Sequence, residues 1–198
     1  MSEPATKPHV IVVAGPNGAG KSTSAPYFLR DALEVTEFVN ADAIAGGLSA
    51  FSPESVAIAA GRIMLERMRE LAADRADFAF ETTLAGRGLA RFLADLQSKG
   101  YHVHVLFLGL ESADLAVARV AERVRLGGHD VPVDTVRRRY DQGLRNLFRI
   151  YMPMADSWQY FDNSHLALPP LLAERTREGH VSVIDEVTWR SLEEAYDG

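Results

Sequence analysis

The chain alternates short apolar runs with longer segments in which apolar residues recur at helical spacing. The short runs predict five strands, at residues 9–15, 36–42, 77–83, 101–110 and 158–164. The segments between them predict helices, at 21–33, 52–75, 86–100, 112–128 and 132–158. A last strand and helix are predicted at 180–186 and 187–197. This alternation predicts an α/β fold with a parallel sheet of about five strands and helices on both faces.

Local signals mark the ends of several predicted helices. Ser52 and Pro53 predict the start of the second helix. Ser112 is typical of a helix cap, and Gly100 is typical of a helix end. Pro26 predicts an irregularity inside the first helix. The second helix is expected to bury one face, formed by Val56, Ala60, Ile63, Met64, Met68 and Leu71.

Length and composition are typical of a soluble globular protein of one domain. The 198 residues are 47% hydrophobic and 24% charged, which suffices for a sizeable core. We expect a single domain over 1–198, with a distinct segment at about 119–149 and a carboxyl-terminal extension at 165–198. The absence of cysteine excludes disulfides and thiol catalysis.

Charge and targeting signals narrow the function classes. The formal net charge of −6 argues against a general nucleic-acid binder. The opening residues MSEPATKP lack the apolar core of a signal peptide, and no apolar run is long enough to cross a membrane. The sequence therefore predicts a cytoplasmic protein without a membrane partner.

The strongest motif is a glycine-rich loop that follows the first strand. It fits G-x-x-x-x-G-K-[ST], the pattern of a phosphate-binding loop. Glycines let several backbone N–H groups face one anion, Lys21 would reach the β- and γ-phosphates, and Ser22 would ligate Mg²⁺. The alternative is a chance glycine turn before a helix. The predicted nucleotide-binding residues are Gly15, Pro16, Asn17, Gly18, Ala19, Gly20, Lys21, Ser22 and Thr23.

Polar side chains also follow the second and third strands. Asp42 is predicted to be the base that accepts the proton of an acceptor hydroxyl; the alternative is a helix cap or turn residue. Glu81 occupies the usual place of a carboxylate that holds Mg²⁺ through water or binds substrate; the alternative is a solvated strand end. Either carboxylate could assist Ser22 with the metal. The predicted substrate-binding residues are Asn40, Glu81, Thr83, Arg87 and Arg138.

An arginine-rich segment follows the fourth strand. The chain has three lysines and eighteen arginines, and eight of the arginines are Arg119, Arg123, Arg125, Arg137, Arg138, Arg139, Arg145 and Arg149. The glycines of LGGHDVP divide this segment like a hinge, as a closing lid requires. Arg119 and Arg123 share a helix face and are the predicted catalytic arginines, followed by Arg138. Most of the others are expected to pair with Glu111, Asp114, Glu122 and Asp141.

Three other residues need an interpretation. His102 and His104 are two apart on a predicted strand and would share a face. Without further ligands nearby, they are interpreted as structural rather than metal-binding. Asn163, after the fifth strand, could contact adenine.

Five motifs, in this order, resemble those of the zeta-toxin family of P-loop kinases, in particular its shorter bacterial members. They are AGPNGAGKST, FVNADAIA, FAFETTLAG, ARVAERVRLGGHDVP followed by RRRY, and YFDNS, and they cover roughly residues 9–164. The resemblance implies phosphorylation of a UDP-N-acetyl-sugar hydroxyl with ATP and Mg²⁺, and a possible antitoxin protein as partner.

The same resemblance implies roles for individual residues. Lys21 resembles the phosphate-loop lysine and Asp42 the general base. Glu81, with Thr83, resembles the substrate-side acidic motif, and Arg119 the first lid arginine. His129 stands near the expected place of a second lid arginine, which either Arg125 or Arg138 could replace.

Two rival functions remain open from the sequence. One is a nucleoside or nucleic-acid-end kinase on the same scaffold, which would need a base-stacking or basic acceptor groove. The other is a non-catalytic ATP-binding module that signals to a protein partner by lid closure. Polar residues at several strand ends favour an enzyme over the module.

Overall fold

A seven-stranded sheet forms the centre of the molecule. The computed structural model describes residues 7–32, 35–50, 52–165 and 168–197. The strands are β1 (His9–Ala14), β2 (Glu37–Val39), β3 (Phe78–Thr82), β4 (His102–Gly109), β5 (Ser157–Asp162), β6 (Leu171–Arg175) and β7 (Val181–Val183). Their order across the sheet is β2-β3-β1-β4-β5-β6-β7. The neighbouring pairs from β2 to β5 are parallel, whereas β6 and β7 are antiparallel additions.

Helices connect the strands. They are α1 (Lys21–Pro26), α2 (Ala41–Leu48), α3 (Ala57–Ala73), α4 (Gly88–Ser98), α5 (Ala113–Arg125), α6 (Val133–Asn146), α7 (Met152–Met154) and α8 (Glu186–Tyr196). π-Helical segments at Tyr27–Ala32 and Leu147–Tyr151 extend α1 and α6. None of these helices is both long and apolar enough to span a membrane.

The core is built around β1. Val10, Ile11, Val12, Val13 and Ala14 are all almost fully buried. Because successive strand side chains point to opposite faces, both faces of the sheet are covered at this position. β1 pairs with β3 on one side and β4 on the other. The loop after β1 therefore emerges at the middle of the sheet's carboxyl edge, where ligands of open α/β sheets bind.

The predicted α/β class is confirmed, but the expected number of about five strands is too low. β6 was not predicted, since LLAER carries two charged residues and its outer positions are only half-buried. Asp162, at the end of β5, donates its backbone N–H to Pro170 O at the start of the returning chain. α8 packs against β5 through Trp189, whose ring stacks on that of Trp158 at 5.4 Å.

The second predicted helix and the chain after β2 also differ from the prediction. The second predicted helix begins at Ala57 instead of Ser52, because Pro53–Val56 forms a 3₁₀ turn. Its Ile63 is 39% exposed rather than part of the buried face. The segment Ala41–Leu48 forms a helix that was not predicted.

Pro26 coincides with the predicted irregularity of the first helix. α1 ends there, and the π-helical segment starts at the next residue. Proline has no backbone N–H to donate to the turn before it, which favours a change of helical hydrogen bonding. Ser112 caps α5 as predicted, by accepting a hydrogen bond from Leu115 N.

His102 and His104 share one hydroxyl partner at the amino ends of β4 and β5. His102 Nε2 lies 2.9 Å and His104 Nδ1 2.8 Å from Ser157 Oγ. This pair is far from the glycine-rich loop, which lies at the carboxyl edge of the same sheet. Burial, followed by the charge of nearby His102, lowers the pKa of His104 to about 4.

We expect acid to destabilise the protein through His104. Its pKa of about 4 in the folded chain lies below the unfolded value of 6.5. The unfolded state therefore takes up the proton first, and this contribution is complete above pH 6.5 and is lost as the pH falls towards 4. The loss is about 3 kcal/mol. Urea unfolding between pH 7 and 4 measures it. His104→Gln should flatten the curve, and the exposed His180→Gln should not; equal slopes in all three proteins would contradict the assignment.

Candidate active site

The glycine-rich loop passes close to β4 and α5. Gly15, Gly18 and Gly20 have φ angles of 146°, 80° and 74°, a region that favours glycine. A Cβ on Gly15 would lie 2.3 Å from Leu108 O, and one on Gly18 would lie 2.8 Å from Ala116 O. Side chains are therefore excluded at Gly15 and Gly18 by both conformation and packing.

Glu81, the last residue but one of β3, is the centre of a polar cluster. Its Oε2 accepts hydrogen bonds from Ser22 Oγ and Asn40 Nδ2, each at 2.7 Å. Its Oε1 lies 3.6 Å from Lys21 Nζ. Asn40 in turn caps α2, since its Oδ1 accepts from the backbone N–H groups of Asp42 and Ala43. One carboxylate thus joins the ends of three strands: β1, β2 and β3.

Lys21 is folded back over the loop. Its Nζ donates to Gly15 O and Pro16 O, both at 2.9 Å, and the residue is only 6% exposed. Burial lowers the pKa of Lys21, and the negative charges of Glu81 and Asp42 oppose this effect. The ammonium group is thus held at the loop between backbone carbonyls and a carboxylate.

Two cavities meet at this cluster. The first, which we call the phosphate cavity, has a volume of about 280 Å³ and is bordered by the glycine-rich loop, Arg119 and Arg123. The second, the acceptor cavity, has a volume of about 480 Å³. The residues that line both are Asn17, Lys21, Asp42 and Glu81. Two carboxylates, a cation and an amide therefore stand at the boundary between the two cavities.

A third cavity of about 410 Å³, the base cavity, lies on the other side of the phosphate cavity. Gly20, Thr23 and Arg119 line both. Tyr27 and Phe28 supply aromatic surface, and Asn163 is fixed beside them by donating from Nδ2 to Ala19 O at 2.7 Å. The three cavities form a continuous row along the carboxyl edge of the sheet.

The structure separates the arginines of the predicted lid. Arg119 donates to Asn163 O and Ser164 O at 2.7 and 2.8 Å, and Arg123 donates to His129 O at 2.7 Å. Both line the phosphate cavity. By contrast, Arg125 pairs with Glu122 and Arg137 with Asp114 on the outside of the helices, as expected for solvated helix faces.

The predicted substrate-binding residues are not all at the acceptor cavity. Asn40, Glu81 and Thr83 line it. Arg87 is exposed, and its Nε donates instead to Asn146 Oδ1 at 3.3 Å. Arg138 is exposed and lies outside the three cavities, whereas its neighbour Arg139 lines the acceptor cavity.

The sequence reasoning missed several residues of the acceptor cavity. Arg139 was assigned to a general group of solvated arginines, although it shares a helical face with Gly143 and Asn146. Met64 was expected only in the buried face of its helix. The missed residues that line the cavity include Met64, Leu65, Thr82, Leu89 and Arg139.

Asn17 has an unusual hydrogen-bonding state. Its side chain is 8% exposed, and its Oδ1 has no hydrogen-bond partner among the residues that the structure describes. A buried acceptor without a partner is destabilising unless a ligand or water supplies a donor. Asn17 lies at the boundary of the phosphate and acceptor cavities, so this oxygen is a point at which a bound molecule can be recognised.

A parallel sheet with a glycine-rich loop after its central strand, and with polar residues at the neighbouring strand ends, defines the P-loop kinase fold class. The family model of the zeta toxins matches residues 46–169. The chain belongs to the zeta toxin family, and the resemblance inferred from its motifs is confirmed.

Several known proteins are similar to this chain in sequence or in fold. An uncharacterized protein of Haemophilus influenzae is 30% identical over 130 residues, which are 66% of this chain and 91% of that protein. The PezAT toxin–antitoxin system of Streptococcus pneumoniae gives a TM-score of 0.67 at 16% identity, over 100% of this chain and 81% of that chain. The AvrRxo1-ORF1:AvrRxo1-ORF2 complex with sulphate ions gives a TM-score of 0.75 at 15% sequence identity, over 95% of this chain. This chain spans only 64% of the length of that protein. At such identities these two likenesses show a shared fold.

We expect Gly15→Ala to destabilise the protein. The new Cβ would meet Leu108 O at 2.3 Å with a backbone that remains at φ 146°. The combined strain and overpacking should lower the free energy of unfolding by about 3 kcal/mol, which urea unfolding measures. Gly46→Ala in α2 is the matched control, because nothing lies within 4 Å of its Cβ position. It should be neutral or slightly stabilising. Equal effects would contradict the packing argument.

Proposed function

We propose that the protein is an ATP-dependent kinase that transfers the γ-phosphate to a hydroxyl of a UDP-N-acetyl-sugar. The observation that carries this proposal is the position of Asp42, which borders both the phosphate cavity and the acceptor cavity. A base for phosphoryl transfer must reach the acceptor hydroxyl next to the γ-phosphate. Family membership supports the reaction and suggests the sugar nucleotide.

The base cavity fits the adenine end of ATP. It is lined by aromatic and polar side chains, including Tyr27, Phe28 and Asn163. It shares Arg119 with the phosphate cavity. The guanidinium of Arg119 therefore lies where it can contact phosphate oxygens while its hydrogen bonds to Asn163 O and Ser164 O fix its direction.

The residues around Glu81 fit a magnesium ion. A hydroxyl and a carboxylate, Ser22 Oγ and Glu81, are already in contact, and Mg²⁺ prefers oxygen ligands of this kind together with substrate phosphates. The described part of the chain contains no group of three or more His, Asp or Glu side chains that could hold a metal by themselves. Ser22 and Glu81 would hold the ion, which would neutralise charge on the β- and γ-phosphates.

In the proposed mechanism, Lys21 leaves the carbonyls of Gly15 and Pro16 to contact the terminal phosphates. Asp42 accepts the proton of the acceptor hydroxyl. The hydroxyl oxygen bonds to the γ-phosphorus while the bond to the bridging oxygen breaks and ADP leaves. Arg119 and Arg123 stabilise the charge that spreads over the transferring group.

We also propose a protein partner of the antitoxin type. Two structures with this fold are a toxin–antitoxin system and a two-protein complex. Such a partner would act by covering or distorting the row of cavities. Copurification of a small protein encoded beside this one, and recovery of kinase activity after its removal, would test this point.

Asp42→Asn should retain ATP binding and lose phosphoryl transfer. The amide cannot accept the proton, so turnover should fall by about 100- to 10,000-fold, while the loop that binds the phosphates is unchanged. Isothermal titration with a non-hydrolysable ATP analogue measures binding, and mass spectrometry of the acceptor measures transfer. Asp74→Asn is the control, since Asp74 is exposed at the carboxyl end of α3. Full transfer by Asp42→Asn would exclude Asp42 as the base.

A panel of acceptors with ATP and Mg²⁺ identifies the substrate class. We expect a mass gain of one phosphate on UDP-N-acetylglucosamine. A mass gain only on nucleosides or oligonucleotides would contradict the sugar-nucleotide acceptor and favour the rival nucleoside or nucleic-acid-end kinase. No gain on any acceptor, with ATP binding intact, would favour a nucleotide-binding switch over an enzyme.

A further inference from the structure

One face of α6 joins the acceptor cavity to the loop that follows β3. Arg139, Gly143 and Asn146 are spaced four and three residues apart, so they lie on the same side of the helix. At the upper end of this face Arg139 lines the acceptor cavity. At the lower end Gly143 and Asn146 contact the loop that follows β3.

Gly143 allows α6 to approach this loop closely. A Cβ at Gly143 would lie 2.5 Å from Thr83 O. Thr83 itself lines the acceptor cavity. The helix and the substrate-side loop are therefore in backbone contact, and the position of one sets the position of the other.

Asn146 fastens the same loop by hydrogen bonds. Its buried Nδ2 donates to Leu84 O at 2.8 Å and to Ala85 O at 3.1 Å, and its Oδ1 accepts from Arg87 Nε at 3.3 Å. Leu84 has a φ of 54°, which is strained for a leucine. These bonds hold the loop in that conformation. The rotation of α6, and with it the direction of Arg139, is thus fixed.

Arg139 has no ion pair or hydrogen bond among the residues that the structure describes, although it is only partly exposed. The cavity that it lines also has apolar side chains, including Met64, Leu65 and Val131. A guanidinium held beside apolar surface gains from an anionic partner, and its planar fork matches a phosphate or carboxylate. It lines the acceptor cavity and not the phosphate cavity, which has Arg119 and Arg123.

We propose that Arg139 binds an anionic group of the acceptor, a phosphate or a carboxylate, and so selects charged acceptors over neutral ones. This rests on the proposed kinase function and adds its specificity residue. The acceptor is then an elongated molecule, with its reacting hydroxyl at Asp42 and its anion at Arg139. The nucleotide diphosphate of a sugar nucleotide and the phosphate of a simple sugar phosphate are two sources of that anion.

Equilibrium binding tests the proposal without turnover. The ligands are N-acetylglucosamine, its 1-phosphate, UDP-N-acetylglucosamine and glucuronate, titrated into protein loaded with a non-hydrolysable ATP analogue. The neutral sugar should bind at least about tenfold more weakly than the best anionic ligand. Arg139→Gln should weaken that anionic ligand by about 10- to 100-fold and leave the neutral sugar unchanged. Arg139→Lys should recover part of the loss, because it retains the charge but not the fork.

Two controls separate this role from a structural one. Arg145→Gln changes an exposed arginine of the same helix and should leave all affinities unchanged. Binding of the ATP analogue should be the same in every variant, since Arg139 lies outside the phosphate cavity. In turnover assays with an accepted substrate, Arg139→Gln should raise KM far more than it lowers kcat.

The outcomes distinguish this inference from the proposed function. Charge-selective binding that depends on Arg139, but without phosphoryl transfer, would support the inference and contradict the proposed kinase function. Phosphoryl transfer with equal use of neutral and anionic sugars, or with no effect of Arg139→Gln on KM, would overturn the inference and leave the kinase. Absence of binding by all four ligands would also overturn it.

Discussion

The carboxylate of Glu81 is the interaction on which the site depends. It accepts hydrogen bonds from Ser22 and Asn40 and lies beside the ammonium of Lys21. Lys21 and Ser22 follow the loop after β1, and Asn40 follows β2. Glu81 itself lies near the end of β3. The buried cation and the carboxylate neutralise each other, and Asn40 extends the cluster into the cap of α2. The strand ends are thus joined by a polar network above an apolar sheet.

The α5–α6 pair also borders the site. α5 supplies Arg119 and Arg123 to the phosphate cavity, and α6 supplies Arg139 to the acceptor cavity. The two helices therefore place arginines at two adjacent cavities. Asp42 stands where these spaces meet, which is the arrangement that a direct transfer between two bound molecules requires.

The glycine-rich loop and the polar strand ends could be predicted because both follow from local sequence and parallel topology. Asp42 and Glu81 lie at the cavities for this reason. The position of Arg139, rather than the predicted Arg138, at the acceptor cavity could not be predicted in this way. It depends on the rotation of α6, which is set by the contact of Gly143 with Thr83. β6 could not be predicted because it pairs antiparallel, outside the parallel part of the sheet, and because its sequence carries two charged residues.

The two anchors of the α5–α6 pair have a kinetic consequence. Arg119 is tied to the carbonyls that follow β5, and Asn146 to those that follow β3. The two helices are thus tied to strand ends on either side of the glycine-rich loop, and Arg123 ties the chain between them by donating to His129 O. Because Arg119 borders the base and phosphate cavities together, a molecule that extends across both lies against a side chain held by two hydrogen bonds. The lifetime of these two bonds limits how quickly the two cavities can open to each other.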